Sequence, residues 1–464
     1  MSPTAITSNA HSTPSANQRP VKSNTAGTAS SEHLIQMEAE YGAHNYHPLP
    51  VVFDKAKGAK VWDPEGREYI DMLAAYSAVN QGHSHPRIVE TLINQAPRLA
   101  LSSRAFHNSQ FPPFAKQITG MFGYDMVLPM NTGAEAVETS LKLARKWGYK
   151  VKGIPDGKAK VLSVEGNFHG RTLGVISMST DPESRGGFAP YLEGVGPVFT
   201  DRDGEDRTIR FGVIEDVERA FELYGDEVAG FLIEPIQGEA GVVVPPEGYL
   251  TKVAALCKEY NVLLICDEIQ TGLCRTGKLL AYEWEKNVRP DVVLLGKALS
   301  GGLYPVSAVL ADKSVMLCIQ PGEHGSTYGG NPLGCAIAQT ALRVLVDEDM
   351  SSRALKLGEI FRSGVLSLQQ SSPGGSLIRK VRGRGLFNAV VIKELEFTVN
   401  GKKVTRTAWD VCLRLKERGV LAKPTHGDII RFSPPIVIEE EDLKSVVKIL
   451  GEVLEGIAKE GEVV

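Results

Sequence analysis

Short apolar runs recur through the middle of the chain at Val161–Val164, Gly230–Ile233, Val262–Cys266 and Val292–Leu295, each closed by polar or turn residues. The stretches between them are long enough to hold helices. Strands that are apolar throughout need cover on both faces, so the alternation predicts an α/β domain built on a mostly parallel sheet flanked by helices. One helix start is explicit. Thr132 followed by Glu135 is the spacing of a capping box, and Val137, Leu141, Ala144 and Gly148 then fall on one face.

Beyond Leu345 the pattern changes. Helical stretches lead to the turn-forming run Ser371-Ser372-Pro373-Gly374-Gly375. Alternating runs at Leu386–Ile392 and Ile429–Phe432 follow, and then an amphipathic helix with Leu443, Val446, Val447, Leu450, Leu454 and Ile457 on its apolar side. This predicts a smaller α+β domain. Near the other end, Val61–Tyr69 reads as a hairpin around Asp63-Pro64-Glu65-Gly66. The expected division is a disordered tail at 1–31, a segment at 32–85 that joins the small domain, a large domain at 86–345 and the small domain at 346–464.

Length supports more than one domain, because 464 residues exceed what one hydrophobic core usually organises. The composition is that of an ordinary globular protein, with 42% apolar and 23% charged residues. A net charge of −4 without a long basic block gives a nucleic acid or an anionic membrane no electrostatic footing, so neither is expected as a partner. No apolar run is long enough to span a bilayer. The 6 cysteines are scattered without a C-x-x-C pair, which predicts reduced thiols and no metal site. Met1–Ser31 holds no acidic residue and is rich in Ser, Thr, Asn and Ala, the composition of an unfolded tail. That composition also suits an organellar transit peptide, but Arg19 is its only arginine, and Pro3, Pro14 and Pro20 interrupt any amphipathic helix. A cytoplasmic location is therefore expected, with the mitochondrial matrix as the alternative.

The chemistry sits at strand ends. Three buried runs lead into charge: Gly230–Ile233 into Glu234, Val262–Cys266 into Asp267-Glu268, and Asp291–Leu295 into Gly296-Lys297. Ligands of open α/β sheets bind beyond the carboxyl ends of the strands, where such residues converge. Any one of them alone is more simply a solvated strand cap; a lysine among acids shifts the balance. The turn Asn131-Thr132-Gly133-Ala134 opens the capped helix and offers free N–H groups to a phosphate. A P-loop is excluded, since its leading glycine falls on Asp291 and Lys297 is followed by Ala298. A dinucleotide fingerprint fails as well, for Gly383-Arg384-Gly385 lacks the third glycine. Lysine, carboxylate and phosphate cradle together are what pyridoxal phosphate requires.

These residues carry a resemblance. The chain resembles the class III aminotransferases among the fold-type-I pyridoxal-phosphate enzymes, from about Glu40 to about Ile438. The carriers are Asn45-Tyr46-His47-Pro48-Leu49-Pro50, Asn167-Phe168-His169-Gly170-Arg171-Thr172, Glu234-Pro235-Ile236-Gln237-Gly238-Glu239, Asp267-Glu268-Ile269-Gln270-Thr271-Gly272, Gly296–Gly302, His324–Asn331 and Lys423–Pro435. The resemblance implies a large domain with a mostly parallel sheet of seven-stranded type, a smaller α+β domain, and pyridoxal 5'-phosphate as cofactor. It makes Lys297 the cofactor-bearing and proton-moving residue, and Asp267 the partner of the ring nitrogen. Phe168 would stack on the ring with His169 as a positioning neighbour, and Gln270 would reach the phenolic oxygen. Gly133 and Ala134 would hold the phosphate through the main chain. Ser326 and Thr327 would reach the phosphate of a neighbouring subunit, so a homodimer or larger homo-oligomer is implied.

On the substrate side the same resemblance implies 2-oxoglutarate as acceptor, with its α-carboxylate on Arg431, and ornithine as donor of its δ-amine. Glu239 would mask Arg431 while ornithine reacts, Arg171 and Tyr46 would hold the far end of ornithine, and Tyr76 would line the pocket. The two tyrosines favour ornithine over N-acetylornithine or 4-aminobutyrate. One departure stands out: Ala134 occupies the place where many relatives of the family carry a threonine, so a hydroxyl contact to phosphate is missing. The alternatives are a related pyridoxal-phosphate enzyme acting on acetylornithine or another ω-amino acid, an aminomutase, and a binding protein that has kept the fold without its chemistry.

Overall fold

The computed structural model describes residues 29–399 and 402–462. The chain divides into two compact units, Met1–Val52 and Phe53–Val464. In the first, a helix spans Ser31–Tyr41 and buries none of its residues; Ser30 caps it by accepting from the His33 N–H at 3.3 Å. The expected disordered tail lies outside the described residues up to Thr28. From Ser30 onward the chain is instead a capped helix, because a serine at that position satisfies one of the first-turn N–H groups.

The second unit carries the predicted sheet. Seven strands run in the order Met126–Met130, Ser307–Ala311, Val292–Leu295, Leu263–Asp267, Val228–Ile233, Lys160–Leu162 and Val195–Gly196. The pairings from Val292–Leu295 to Val195–Gly196 are parallel, while Ser307–Ala311 is antiparallel to both of its neighbours. The three strands Val228–Ile233, Leu263–Asp267 and Val292–Leu295 are buried at every position, as their apolar runs demand, and the second carries the charged Asp267 into that burial.

One face of the sheet is covered by the helix Gly133–Trp147, whose Val137, Leu141 and Ala144 pack with Leu232, Ile265 and Leu294 in one core cluster. Burying a valine, leucine or isoleucine side chain there contributes about 1.5–3 kcal/mol. The capping box forms as predicted: the Glu135 N–H donates to Thr132 Oγ1 at 3.2 Å and the Thr132 N–H to Glu135 Oε2 at 2.7 Å.

The predicted hairpin is present, with Lys60–Trp62 antiparallel to Glu68–Asp71. Its sheet gains a fourth strand from far along the chain, Val420–Leu421, which pairs in parallel with Ile70 and Asp71. A further sheet holds Ile378–Arg384, Phe387–Ile392, Ile429–Phe432 and Lys423–Thr425 in that order. The alternation expected at Leu386–Ile392 and Ile429–Phe432 is not found; both strands are buried throughout. The reason is cover on both faces. Phe361 of the helix Met350–Ser371 lies 5.0 Å from Phe432 between ring centroids on one side. On the other, Phe387, Ala389, Val391 and Ile429 pack against Ile236 and Val242. Arg431 is two residues from Ile429 on the same strand, so its side chain falls on this second face.

No helix among the described residues is long and apolar enough to cross a membrane. All 6 cysteines are free and buried.

Candidate active site

Because three neighbouring strands run in parallel, their carboxyl ends bring Glu234, Asp267 and Lys297 to one edge of the sheet. Asp267 ends its strand in full burial. One of its oxygens accepts from His169 Nδ1 at 2.7 Å and the other from the Ile269 N–H at 3.1 Å. This contact fixes the orientation of the carboxylate and gives His169 a positioning place. His169 Nε2 is buried without a hydrogen-bond partner among the described residues.

Lys297 follows the extended Gly296 and opens a short 3₁₀ turn with φ +45°, a left-handed conformation that costs a non-glycine residue about 1–2 kcal/mol. Such strain collects where a side chain must be aimed. Burial, and after it the Arg431 guanidinium, pushes the Lys297 ammonium down to about 8, against the opposing pull of Asp267, Glu239 and Glu234. An amine so poised is partly free base near neutral pH, as nucleophilic and proton-moving lysines require.

Arg431 is buried and held from three sides. Its Nη1 donates to Glu239 Oε2 at 2.6 Å, its Nη2 donates to Gln270 Oε1, and its guanidinium carbon lies 5.0 Å from the centre of the Tyr76 ring. Its Nε is buried without a partner among the described residues. Tyr76 is aimed by unusual backbone. Ala74, Ala75, Tyr76 and Ser77 have φ of +52°, +46°, +60° and +71°, one left-handed turn without a glycine. Asp71 anchors its start by accepting from the Leu73 and Ala74 N–H groups at 2.8 and 2.9 Å, and His83 Nε2 donates to the same carboxylate at 2.8 Å. Gly238 permits Gln270 its path: a Cβ there would stand 2.5 Å from Gln270 Oε1.

Gly133 and Ala134 are the first residues of the Gly133–Trp147 helix, so their N–H groups are not consumed by it. Ser326 lies beside this turn within the same chain, accepting from Asn131 Nδ2 at 2.8 Å, while Thr327 is exposed. Phe168 is half-buried, and the exposed Arg171 has its guanidinium 5.6 Å from the Phe168 ring. Tyr46 belongs to the first unit, where it is 75% exposed. His83 and His85 pair with Asp71 and Glu348, and no group of side chains fit to hold a metal occurs among the described residues.

This donor set fits pyridoxal phosphate. The lysine, carboxylate and phosphate cradle it requires are a poised Lys297, an Asp267 locked by His169 and the N-terminus of the Gly133–Trp147 helix, with the half-buried Phe168 nearby.

The aminotransferase class-III family description matches residues 41–454, nearly the whole described chain. The ornithine aminotransferase of Schizosaccharomyces pombe is 60% identical over 423 residues, which cover 91% of this chain and 93% of that protein. A solved ornithine aminotransferase of Toxoplasma gondii, described as carrying PLP at partial occupancy in its active site, superposes with a TM-score of 0.86. It is 43% identical, over 93% of this chain and 96% of that one. A solved acetylornithine aminotransferase of Elizabethkingia anophelis is 50% identical with a TM-score of 0.79, over 92% and 99% of the two chains. The chain belongs to the class-III aminotransferase family.

Several residues of this aminotransferase site were not assigned roles from sequence. Glu234 is fully buried; its two oxygens accept from the Phe168 and Gly238 N–H groups, each at 3.3 Å. It thereby ties the Phe168 loop to the Glu239 loop. Burial pushes its carboxyl up to about 7; His169 opposes the rise and Asp267 adds to it. Its position in Glu234-Pro235-Ile236-Gln237-Gly238-Glu239 was the available signal. Glu268 is no solvated strand cap but a buried loop pin, accepting from Thr271 Oγ1 at 2.6 Å and the Tyr282 N–H at 2.8 Å. Arg275, fully buried, donates to Asn80 Oδ1 and to the carbonyls of Leu386 and Pro434, joining the loop after Gln270 to the C-terminal sheet. Nothing local marks an arginine as buried, so only the fold reveals this one.

Proposed function

We propose that this aminotransferase moves the δ-amino group of ornithine to 2-oxoglutarate, giving glutamate and glutamate 5-semialdehyde, which cyclises to pyrroline-5-carboxylate. The observation that carries the reading is the Glu239–Arg431 pair. Arg431 is 1% exposed and Glu239 34% exposed by side chain. The cation is fixed and the anion can swing away. An exposed guanidinium would attract the α-carboxylate of either substrate. With Glu239 in place that attraction is cancelled, and a diamine can enter with its δ-amine foremost. A dicarboxylate acceptor displaces Glu239 and takes its place on Arg431.

Pyridoxal phosphate, when bound, supplies an electron sink for the carbon that loses its proton. The protein does the rest. Lys297 would carry the cofactor and, as free amine, move the proton. Asp267, held by His169, would pair with the ring nitrogen. Phe168 would cover the ring, and Gln270, bonded to Arg431, would face its phenolic oxygen. The main chain at Gly133 and Ala134 binds the phosphate. Arg171 receives the far end of ornithine, and Tyr76, beside Arg431, lines the pocket. A homodimer is part of the proposal, Ser326 and Thr327 of each subunit serving the phosphate of the other. Subunits carrying Lys297→Ala mixed with subunits impaired at Thr327 are expected to regain activity, and failure of proven hybrids to do so would refute it. We place the enzyme in the cytoplasm, which a fluorescent fusion seen in mitochondria would overturn.

The deciding experiment compares Glu239→Ala with the parent protein in single-turnover mixing with ornithine and with glutamate, followed by cofactor absorbance. The ornithine half-reaction is expected to slow and the glutamate half-reaction to quicken. Equal loss of both would remove Glu239 from donor choice. Acetylornithine, run in parallel, is expected to react far more slowly than ornithine.

A further inference from the structure

The residue that masks Arg431 is itself held by other parts of the molecule. Glu239 sits at the tip of a tight hairpin closed by reciprocal hydrogen bonds between Gln237 and Val243, at 3.0 and 2.8 Å. Inside it the Gly241 and Val242 N–H groups both donate to the Gly238 carbonyl, at 3.0 and 3.1 Å. Two consecutive residues are left-handed: Gly241 at φ +94° and Val242 at φ +55°. A β-branched residue in that region is a genuine outlier, and persists only where surroundings over-determine it. Here they do. Val242 is fully buried and packs with Phe387, Ala389, Val391 and Ile429 of the C-terminal sheet. A Cβ on Gly241 would lie 2.6 Å from Ile429 Cδ1, so the hairpin approaches that sheet as closely as glycine allows.

Two polar contacts from the same sheet complete the clamp. Arg382 Nε donates to the Gly241 carbonyl at 2.8 Å. Thr425 Oγ1, from the strand Lys423–Thr425, donates to the carbonyl of Glu239 itself at 3.1 Å. Thr425 pairs with Ile429 in the adjacent strand, two residues from Arg431. The sheet that carries the cation thus also fixes the main chain of its masking anion, and only the Glu239 side chain is left free to turn.

We propose that Thr425 is a specificity-determining positioning residue, acting with Arg382 and the packed Val242. By fixing the Glu239 main chain it sets how readily Arg431 exchanges Glu239 for a substrate carboxylate, and hence the preference between an ω-amine donor and an α-amino acid. The inference rests on the donor reading given under Proposed function. Thr425 touches neither substrate nor cofactor in this account; it acts through Glu239.

The test uses the cofactor-loaded full chain with Thr425→Val, which keeps shape and removes the hydroxyl, Thr425→Ser, which keeps the donor, and Glu239→Ala as reference. Half-reaction rates with ornithine and glutamate are read from cofactor absorbance. Binding of glutarate, an unreactive dicarboxylate, is read from its spectral perturbation without turnover. One hydrogen bond of this kind corresponds to a change of about three- to tenfold. The ornithine-to-glutamate rate ratio is therefore expected to fall by that factor in Thr425→Val. Glutarate should bind tighter by a similar factor, and Thr425→Ser should restore both. Glu239→Ala should move the ratio further in the same direction. An unchanged ratio in Thr425→Val beside a shifted one in Glu239→Ala overturns the positioning role and leaves the donor reading standing. Equal loss for both substrates, or no restoration by Thr425→Ser, does the same. An unshifted Glu239→Ala overturns the donor reading and this inference with it.

Discussion

The strand-end centre and the Glu239 hairpin lie at the same site but are built on opposite terms. Asp267 is the last residue of a strand bonded in parallel on both sides, and its two oxygens are taken by His169 and by the main chain. Glu239 stands on a turn with one strained valine, keeps a third of its side chain in solvent, and holds Arg431 by a single contact. The first arrangement leaves a charge nowhere else to go. The second leaves it an alternative in water, so another carboxylate can take its place. Chemistry common to both half-reactions belongs on the fixed element, and discrimination between their substrates on the movable one.

The largest effect is expected at Lys297. Lys297→Ala should abolish transamination, since both the covalent attachment of the cofactor and the proton-moving amine are lost; a proton-transfer group alone is worth about 10²–10⁴-fold. Substantial turnover without an added amine would show that the fixed centre is misassigned.

Next comes Asp267. Removing one partner of a buried charged pair costs about 3–5 kcal/mol, so Asp267→Ala should release cofactor during dialysis and slow the chemistry far more than Asp267→Glu does. Similar behaviour of the two variants would mean the ring nitrogen lies elsewhere.

A smaller effect sharpens the link between the two regions. In cofactor-free protein, labelling of the Lys297 amine should rise with pH through a midpoint of about 8. Arg431 lowers that midpoint and Glu239 raises it. Removing the guanidinium in Arg431→Ala should therefore shift the midpoint to higher pH, and removing the carboxylate in Glu239→Ala to lower pH. Shifts of the opposite sign, measured by peptide mass spectrometry of the labelled protein, would break the proposed proximity.

The smallest effect concerns the left-handed turn behind Tyr76. Ala75 is exposed at φ +46°, a conformation that costs alanine about 1–2 kcal/mol and glycine almost nothing. Glycine gives back about 0.4–1 kcal/mol through the unfolded chain. Ala75→Gly should thus gain about 0.5–1 kcal/mol in denaturant unfolding, with little change in either half-reaction. Destabilisation would mean that the turn is shaped by packing at Ala75 rather than anchored by Asp71.

How far the chain could be read in advance follows the reach of each signal. Val228–Ile233, Leu263–Asp267 and Val292–Leu295 announced themselves, because burial on both faces requires an unbroken apolar run and the helices between them fix parallel pairing. The Thr132–Glu135 cap was legible for the same reason: its partners are three residues apart. Asp267 and Lys297 followed from their places just past those runs. The C-terminal strands misled, since an alternating pattern implies one wet face, and no local feature says that Ile236 and Val242 will cover it.

Local order by itself therefore determined the central sheet, its capped helix and the charged strand ends, because these depend on neighbours a few residues away. Tertiary structure alone decided that Glu239 meets Arg431, 192 residues further along. It also decided that Thr425 clamps the Glu239 main chain and that the buried Arg275 is held by an amide oxygen and two carbonyls. Such pairings are settled by which surfaces pack when the sheets come together. Their polar groups are brought out of water by that packing, and then must find partners wherever the fold has placed them.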